Sequence, residues 1–142
     1  VSEDFGLIPA IKELVTNIEQ SNKLEVELSA SIGDEEIGVE MELFIYRVIQ
    51  ELVSNVLKHS KATKLSITII CFDEDNLINI IIEDNGKGFD VAQKMKAGSG
   101  MGLNTLAEMI TERHGDIKID SNATSGTTVI IDLPIDAEGY NQ

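Results

Sequence analysis

A chain of 142 residues, 42% of them hydrophobic and with no charge block or low-complexity run, is long enough to bury a core of its own. Its formal charge of −14 argues against non-specific binding to nucleic acid or to an anionic membrane surface. One cysteine excludes an internal disulfide, and no apolar stretch is long enough to span a bilayer and no signal peptide is evident.

In chain order, "FGLIPAIKELVTNIEQ" places Leu7, Ile8, Ile11, Leu14, Val15 and Ile18 at helical spacing, with Pro9 tolerable in the first turn. "KLEVELSASI" alternates Leu24, Val26, Leu28, Ala30 and Ile32, the pattern of a half-buried strand. Residues 40–59 form the longest helical stretch, with Ile45, Ile49, Leu52, Val53 and Val56 on its core side. Two β-rich runs at 64–72 and 76–84 are separated by the short polar link "DED", which predicts a hairpin. Cys71, inside the first run, is expected to be a buried small hydrophobe in a reducing compartment.

Residues 85–101, "NGKGFDVAQKMKAGSGM", carry four glycines and no sustained period, so they are expected to form a long loop. "GLNTLAEMITERHG" follows as a helix closed by Gly115, with His114 favourably placed at its negative end. "DIKIDS" and "GTTVIIDLP" supply two last strands, and the tail 136–142 is expected to fray. The order α-β-α-β-β-loop-α-β-β predicts an α/β fold: a two-layer sandwich with a mixed, mainly antiparallel five-stranded sheet and three helices on one face. One domain over 1–142 is expected, with a core of about 7–134.

Three segments could carry chemistry. On the second helix Glu51, Asn55 and His59 fall at i, i+4 and i+8, with Lys58 bordering the stripe. A solvated helix face explains such a stripe on its own. The alternative assigns tasks: Asn55 offers a hard neutral oxygen suited to Mg2+, Lys58 a charge for a phosphate, and Glu51 a carboxylate that orients or deprotonates an attacking group. "EDNGKGF", residues 83–89, ends an apolar strand with Asp84. It is a turn by composition, yet Asp84 could accept from the exocyclic amine of a base while Gly86 and Gly88 admit a flat ring. "GSGMGL", residues 98–103, opens the last helix as a phosphate-binding terminus or as a hinge and cap; the spacing is neither a Walker loop nor a Rossmann fingerprint. Within 85–101 Lys87, Lys94 and Lys96 face Asp90 alone, a local balance of +2 that suits a polyphosphate. One Cys and two separated His give no zinc set, and no G-x-S-x-G elbow supports a serine triad.

In order, "RVIQELVSNVLKHS", "EDNGKGF" and "GSGMGLNTLAEMI" resemble the N, G1 and G2 boxes of the Bergerat-fold ATPases, and "SGTTVIIDLP" their closing Gly-Thr strand. That superfamily covers sensor histidine kinases, DNA gyrase, heat-shock chaperones and mismatch-repair ATPases. "KHSKATKLSI" and "FGLIPAIKEL" look most like sensor kinases related to nitrate and membrane-fluidity sensors, and the match runs from about Leu7 to Pro134.

The resemblance implies that ATP and Mg2+ bind here. Asp84 would accept the adenine amino group with Thr127 or Thr128 nearby through water; Asn55 would hold Mg2+; Lys58 would meet the phosphates, and His59 the ribose or phosphates. Gly86, Gly88, Lys96, Gly98, Gly100, Met101, Gly102 and Leu103 would shape the pocket and a lid over about 85–101, and Glu51 would be the acid/base residue. Such kinases phosphorylate a histidine on a separate helical dimerisation domain, and neither His59-Ser60 nor His114-Gly115 fits that acceptor. The expectation is therefore the catalytic part of a cytoplasmic or inner-membrane-anchored sensor kinase, a fragment of a longer protein since Val1 is no initiator methionine. It is monomeric alone and homodimeric in the full protein, works with a response regulator, and does not bind nucleic acid. An anti-sigma-type serine kinase and a regulatory nucleotide-binding module are the alternatives. A gyrase or chaperone is less favoured, because no transducer domain follows.

Overall fold

The computed structural model describes residues 6–22, 24–32, 37–59, 61–86, 101–122 and 126–135, and in them the periodic stretches become eight regular elements. These are α1 (Leu7–Asn22), β1 (Glu25–Ser31), α2 (Val39–His59), β2 (Lys64–Phe72), β3 (Leu77–Asp84), α3 (Met101–Glu112), β4 (Asp116–Asn122) and β5 (Gly126–Pro134). The link between β2 and β3 is a 3-10 turn at Asp73–Asp75, with Asn76 left-handed at φ 51°.

The strands form one sheet in the order β1-β2-β3-β5-β4. Only β1 and β2 run parallel, as expected where a helix, α2, carries the chain back to the sheet; the other three pairs are antiparallel. Alternation decides the faces. Leu65, Ile67 and Ile69 of β2, Ile78, Ile80 and Ile82 of β3, and Val129, Ile131 and Leu133 of β5 are buried. Their neighbours Ser66, Asn79 and Asp132 point the other way and are only half-buried. Against the buried face pack Ile11 and Ile18 of α1, Ile45, Val48, Ile49 and Leu52 of α2, and Leu106 and Ile110 of α3. Each such side chain contributes about 1.5–3 kcal/mol by leaving water. The two-layer arrangement expected from the sequence is the one observed.

Two expectations change in detail. Cys71 is half-buried rather than enclosed, because it lies near the far end of β2, where its partner is Ile78. The last helix does stop before Gly115, but the left-handed residue is His114, at φ 65°. The amide of Gly115 donates to Ile110 and that of His114 to Thr111, the paired bonds of a Schellman cap. Gly115 is required for space instead: a Cβ there would lie 2.6 Å from the Asp132 carbonyl oxygen. His114→Gly should therefore stabilise the chain by about 1 kcal/mol, since only glycine enters the left-handed region without cost. Thermal denaturation checks this; an unchanged or lowered Tm would speak against the cap.

Arg113, just beyond α3, stacks on Phe44 at 4.0 Å from the ring centroid and pairs with Glu40, tying α3 to the first turns of α2. The Glu40 side chain is 76% exposed, so the stacking and not the ion pair carries most of this link.

Candidate functional site

Chain direction alone gathers the predicted groups at one edge of the sheet. Because α2 returns antiparallel to β1 and β2, its last turn lies by the start of β2, where Leu65 pairs with Asp84 at the end of β3. The start of β5 is there too, since Thr127 pairs with Asp84. The chain leaves α3 for β4, and β4 ends at this edge, so the N-terminus of α3 joins the group. Thus Asn55 and Lys58 near the end of α2, Asp84, Thr127 and the first turn of α3 share one rim of the sandwich.

At that rim the covered face changes character. Its inward rows are apolar until the last, which reads Val26, Leu65, Asp84, Thr127, Ser121 across β1, β2, β3, β5 and β4. Asp84 is 9% and Thr127 8% exposed, the two polar residues buried among the described positions. A carboxylate that deep needs partners, and Asp84 Oδ1 accepts the Gly86 amide at 2.8 Å. The Thr127 and Ser121 hydroxyl oxygens lie 2.7 Å apart in a hydrogen bond. The pairing separates the two threonines that the sequence left open: Thr127 shares the covered face with Asp84, whereas Thr128 pairs with Glu83 on the opposite face.

Two residues not singled out from the sequence hold this corner. Asn85 Oδ1 accepts the amides of Thr63 and Lys64, both at 3.0 Å, and its Nδ2 donates to Thr63 Oγ1 at 3.0 Å. With its own amide donating to the Lys64 carbonyl, Asn85 pins the end of β3 to the start of β2. Its Asp-Asn-Gly setting looks like ordinary turn chemistry, which is why composition hides the role. Gly126, at φ +89°, lets the start of β5 lie directly against the backbone of Asp84. A Cβ there would overlap the Asp84 carbonyl oxygen.

The polar stripe on α2 divides. Asn55 is half-buried and Lys58 exposed near the helix end. Glu51, more than one turn earlier, instead lines a groove of about 810 Å³ over the outer side of α2, with Leu14 and Ile18 of α1, Arg47 and Ser54 of α2, and Met109 of α3. Asn55, Asp84 and Thr127 do not line that groove. Gly86 is in place beside Asp84, while Gly88, Lys96, Gly98 and Gly100, and with them most of the expected lid, lie outside the described residues, as does the tail 136–142. Met101, Gly102 and Leu103 form the first turn of α3 in their backbone, and His59 ends α2; their side chains are outside the description.

The donor set fits a nucleotide with Mg2+. Among the described residues no group of three or more His, Cys, Asp or Glu is placed to hold a metal. A single amide oxygen such as that of Asn55 suffices where phosphates and water complete the shell.

Comparison with known proteins agrees with this fold. Residues 40–137 match the family described as "Histidine kinase-, DNA gyrase B-, and HSP90-like ATPase". The chain is 33% identical over 136 residues to the signal transduction histidine-protein kinase/phosphatase DegS of Brevibacillus brevis, covering 96% of this chain and 34% of DegS. It is 32% identical over 136 residues to the sensor protein VraS of Staphylococcus aureus, covering 96% of this chain and 38% of VraS. The chain thus spans little more than a third of the length of these relatives. Among solved structures, a blue-light activated histidine kinase of Erythrobacter litoralis superposes with a TM-score of 0.77 at 18% identity, over 95% of this chain and 43% of that one. The histidine kinase AdeS of Acinetobacter baumannii gives 0.70 at 20% identity, over 93% and 66%. At such identities the structures speak for the fold.

Proposed function

Because the chain belongs to the histidine kinase-, DNA gyrase B- and HSP90-like ATPase family, we propose that it binds Mg-ATP and donates the γ-phosphoryl to a histidine on a separate helical dimerisation domain of a sensor kinase. The observation that carries this is the buried polar end of an otherwise apolar sheet face, Asp84 beside Thr127. Asp84 only accepts, which suits the exocyclic amine of adenine, and the Thr127 hydroxyl beside it can donate, directly or through water, to the adjacent ring nitrogen N1. Buried polar groups of this kind reject a base that leaves them unpaired.

Asn55 would hold Mg2+, whose charge neutralises the phosphates during transfer. Lys58 and the N-terminal turn of α3 add positive potential on the same rim. Glu51 stands apart from the base, on the open groove, where an incoming imidazole can reach it; there it orients the attacking nitrogen and takes up its proton as the phosphorus–nitrogen bond forms and ADP leaves. A homodimeric parent protein and a response regulator downstream complete the proposal. No helix among the described residues is long and apolar enough to cross a membrane.

Mixing the chain with a histidine-bearing helical domain of the DegS/VraS type and γ-labelled ATP is expected to give acid-labile phosphate on that domain. Glu51→Gln should slow the transfer by about 100-fold or more at unchanged ATP affinity, the range of general-base contributions. Acid-stable phosphate on serine would point to a serine kinase, and ATP binding with no transfer to any acceptor would point to a regulatory module.

A further inference from the structure

We propose that Ser121, on the edge strand β4, is a positioning residue that sets the polarity of the Thr127 hydroxyl and so helps the site select adenine; this rests on the reading of Asp84 and Thr127 as the base subsite. The Ser121 and Thr127 oxygens are 2.7 Å apart, and either could be the donor. The base resolves the direction. Along its edge adenine presents a donor, the 6-amino group, and then an acceptor, N1. Asp84 meets the first as a carboxylate. N1 then requires a proton, and the residue beside Asp84 on the same face is Thr127. A threonine hydroxyl has one proton to give. If that proton goes toward N1, Thr127 Oγ1 must be the acceptor in its bond with Ser121, and Ser121 the donor.

Ser121 is placed for this by the β4–β5 hairpin, six residues before Thr127. Its cross-strand partner is Thr127, and it continues the covered-face row that begins with Ile117 and Ile119 on β4. The Ser121–Thr127 bond is partly buried, so its replacement by water is hindered. Guanine reverses the pattern, with an oxygen at position 6 and a protonated N1. It would set an acceptor against Asp84 and a donor against the Thr127 proton.

The test measures affinity of the chain for ATP and for 1-deaza-ATP, which keeps the 6-amino group and lacks the N1 acceptor. Ser121→Ala is expected to weaken ATP about 5-fold, the worth of one neutral hydrogen bond, and 1-deaza-ATP less than about 2-fold. Ser121→Thr, which restores a hydroxyl, should restore the difference between the two nucleotides. Equal losses for both nucleotides would make Ser121 merely structural, and no loss for either would remove it from the site; each overturns the proposal while leaving the base subsite standing. Failure of wild-type chain to bind ATP, or indifference of its affinity to Asp84→Asn, would instead bring down the underlying reading and this inference with it.

Discussion

Asp84→Asn is expected to leave the chain folded while weakening Mg-ATP binding by about 100-fold or more. The substitution is close to isosteric, and the side-chain oxygen still accepts the Gly86 amide as Oδ1 does at 2.8 Å. What it replaces is the second oxygen, an acceptor, by an NH2 donor that would face the amine of adenine. A charge-assisted hydrogen bond is worth about 1.5–3 kcal/mol, and the donor-on-donor contact adds to that loss. Asp84→Ala would abolish binding too, but it also strips the Gly86 amide of its partner, so the asparagine variant is the sharper probe. Calorimetric titration with unchanged thermal denaturation is the check. Unaltered affinity would show that the base lies elsewhere.

Gly126→Ala is expected to destabilise the chain more than alanine at Gly6, Gly38 or Gly115. At φ +89° an alanine is strained, and its Cβ would overlap the Asp84 carbonyl oxygen, which is backbone and cannot swing aside. Strain and overpacking together cost about 3 kcal/mol or more, on the order of 10 °C in Tm for a chain of this size. The start of β5 must move away from the end of β3, and Thr127 moves with it, so nucleotide affinity should fall even at temperatures where the variant is folded. A Tm within about 2 °C of wild type would contradict the close approach, given the usual few degrees per kcal/mol.

Part of this corner is legible in the sequence: Asp84 stands out as the end of the apolar run Ile80, Ile81, Ile82. Thr127 and Thr128 are not separable in that way, since Val129, Ile130 and Ile131 follow them without alternation, and only the pairing with β3 puts Thr127 on the face of Asp84. The place of β5 between β3 and β4 is not legible, since register between distant strands depends on non-local packing that no local window contains. Ser121 lies only six residues from Thr127 across the β4–β5 hairpin, but its strand, "DIKIDSN", alternates normally and nothing in its composition marks a hydroxyl at the base subsite. Asn85 is hidden differently, behind a dipeptide that turns use anyway. The Glu51–Asn55 stripe is visible as a stripe, but one helical face can border two cavities, and the groove over α2 claims Glu51 alone.

The most direct test of the central claim, a nucleotide seated on the rim where β3 ends, is an amide NMR titration of the chain with Mg-ATP. The expected result is saturable shifts centred on Asp84–Gly86, Gly126–Thr127, the last turn of α2 around Asn55 and Lys58, and the first turn of α3. Little change is expected at Lys118 and Asp132, whose partners Ile130 and Asn79 stand on the opposite face. Shifts confined to that opposite face or to the Leu14 and Ile18 side of the groove, with Asp84–Gly86 unmoved, would contradict it.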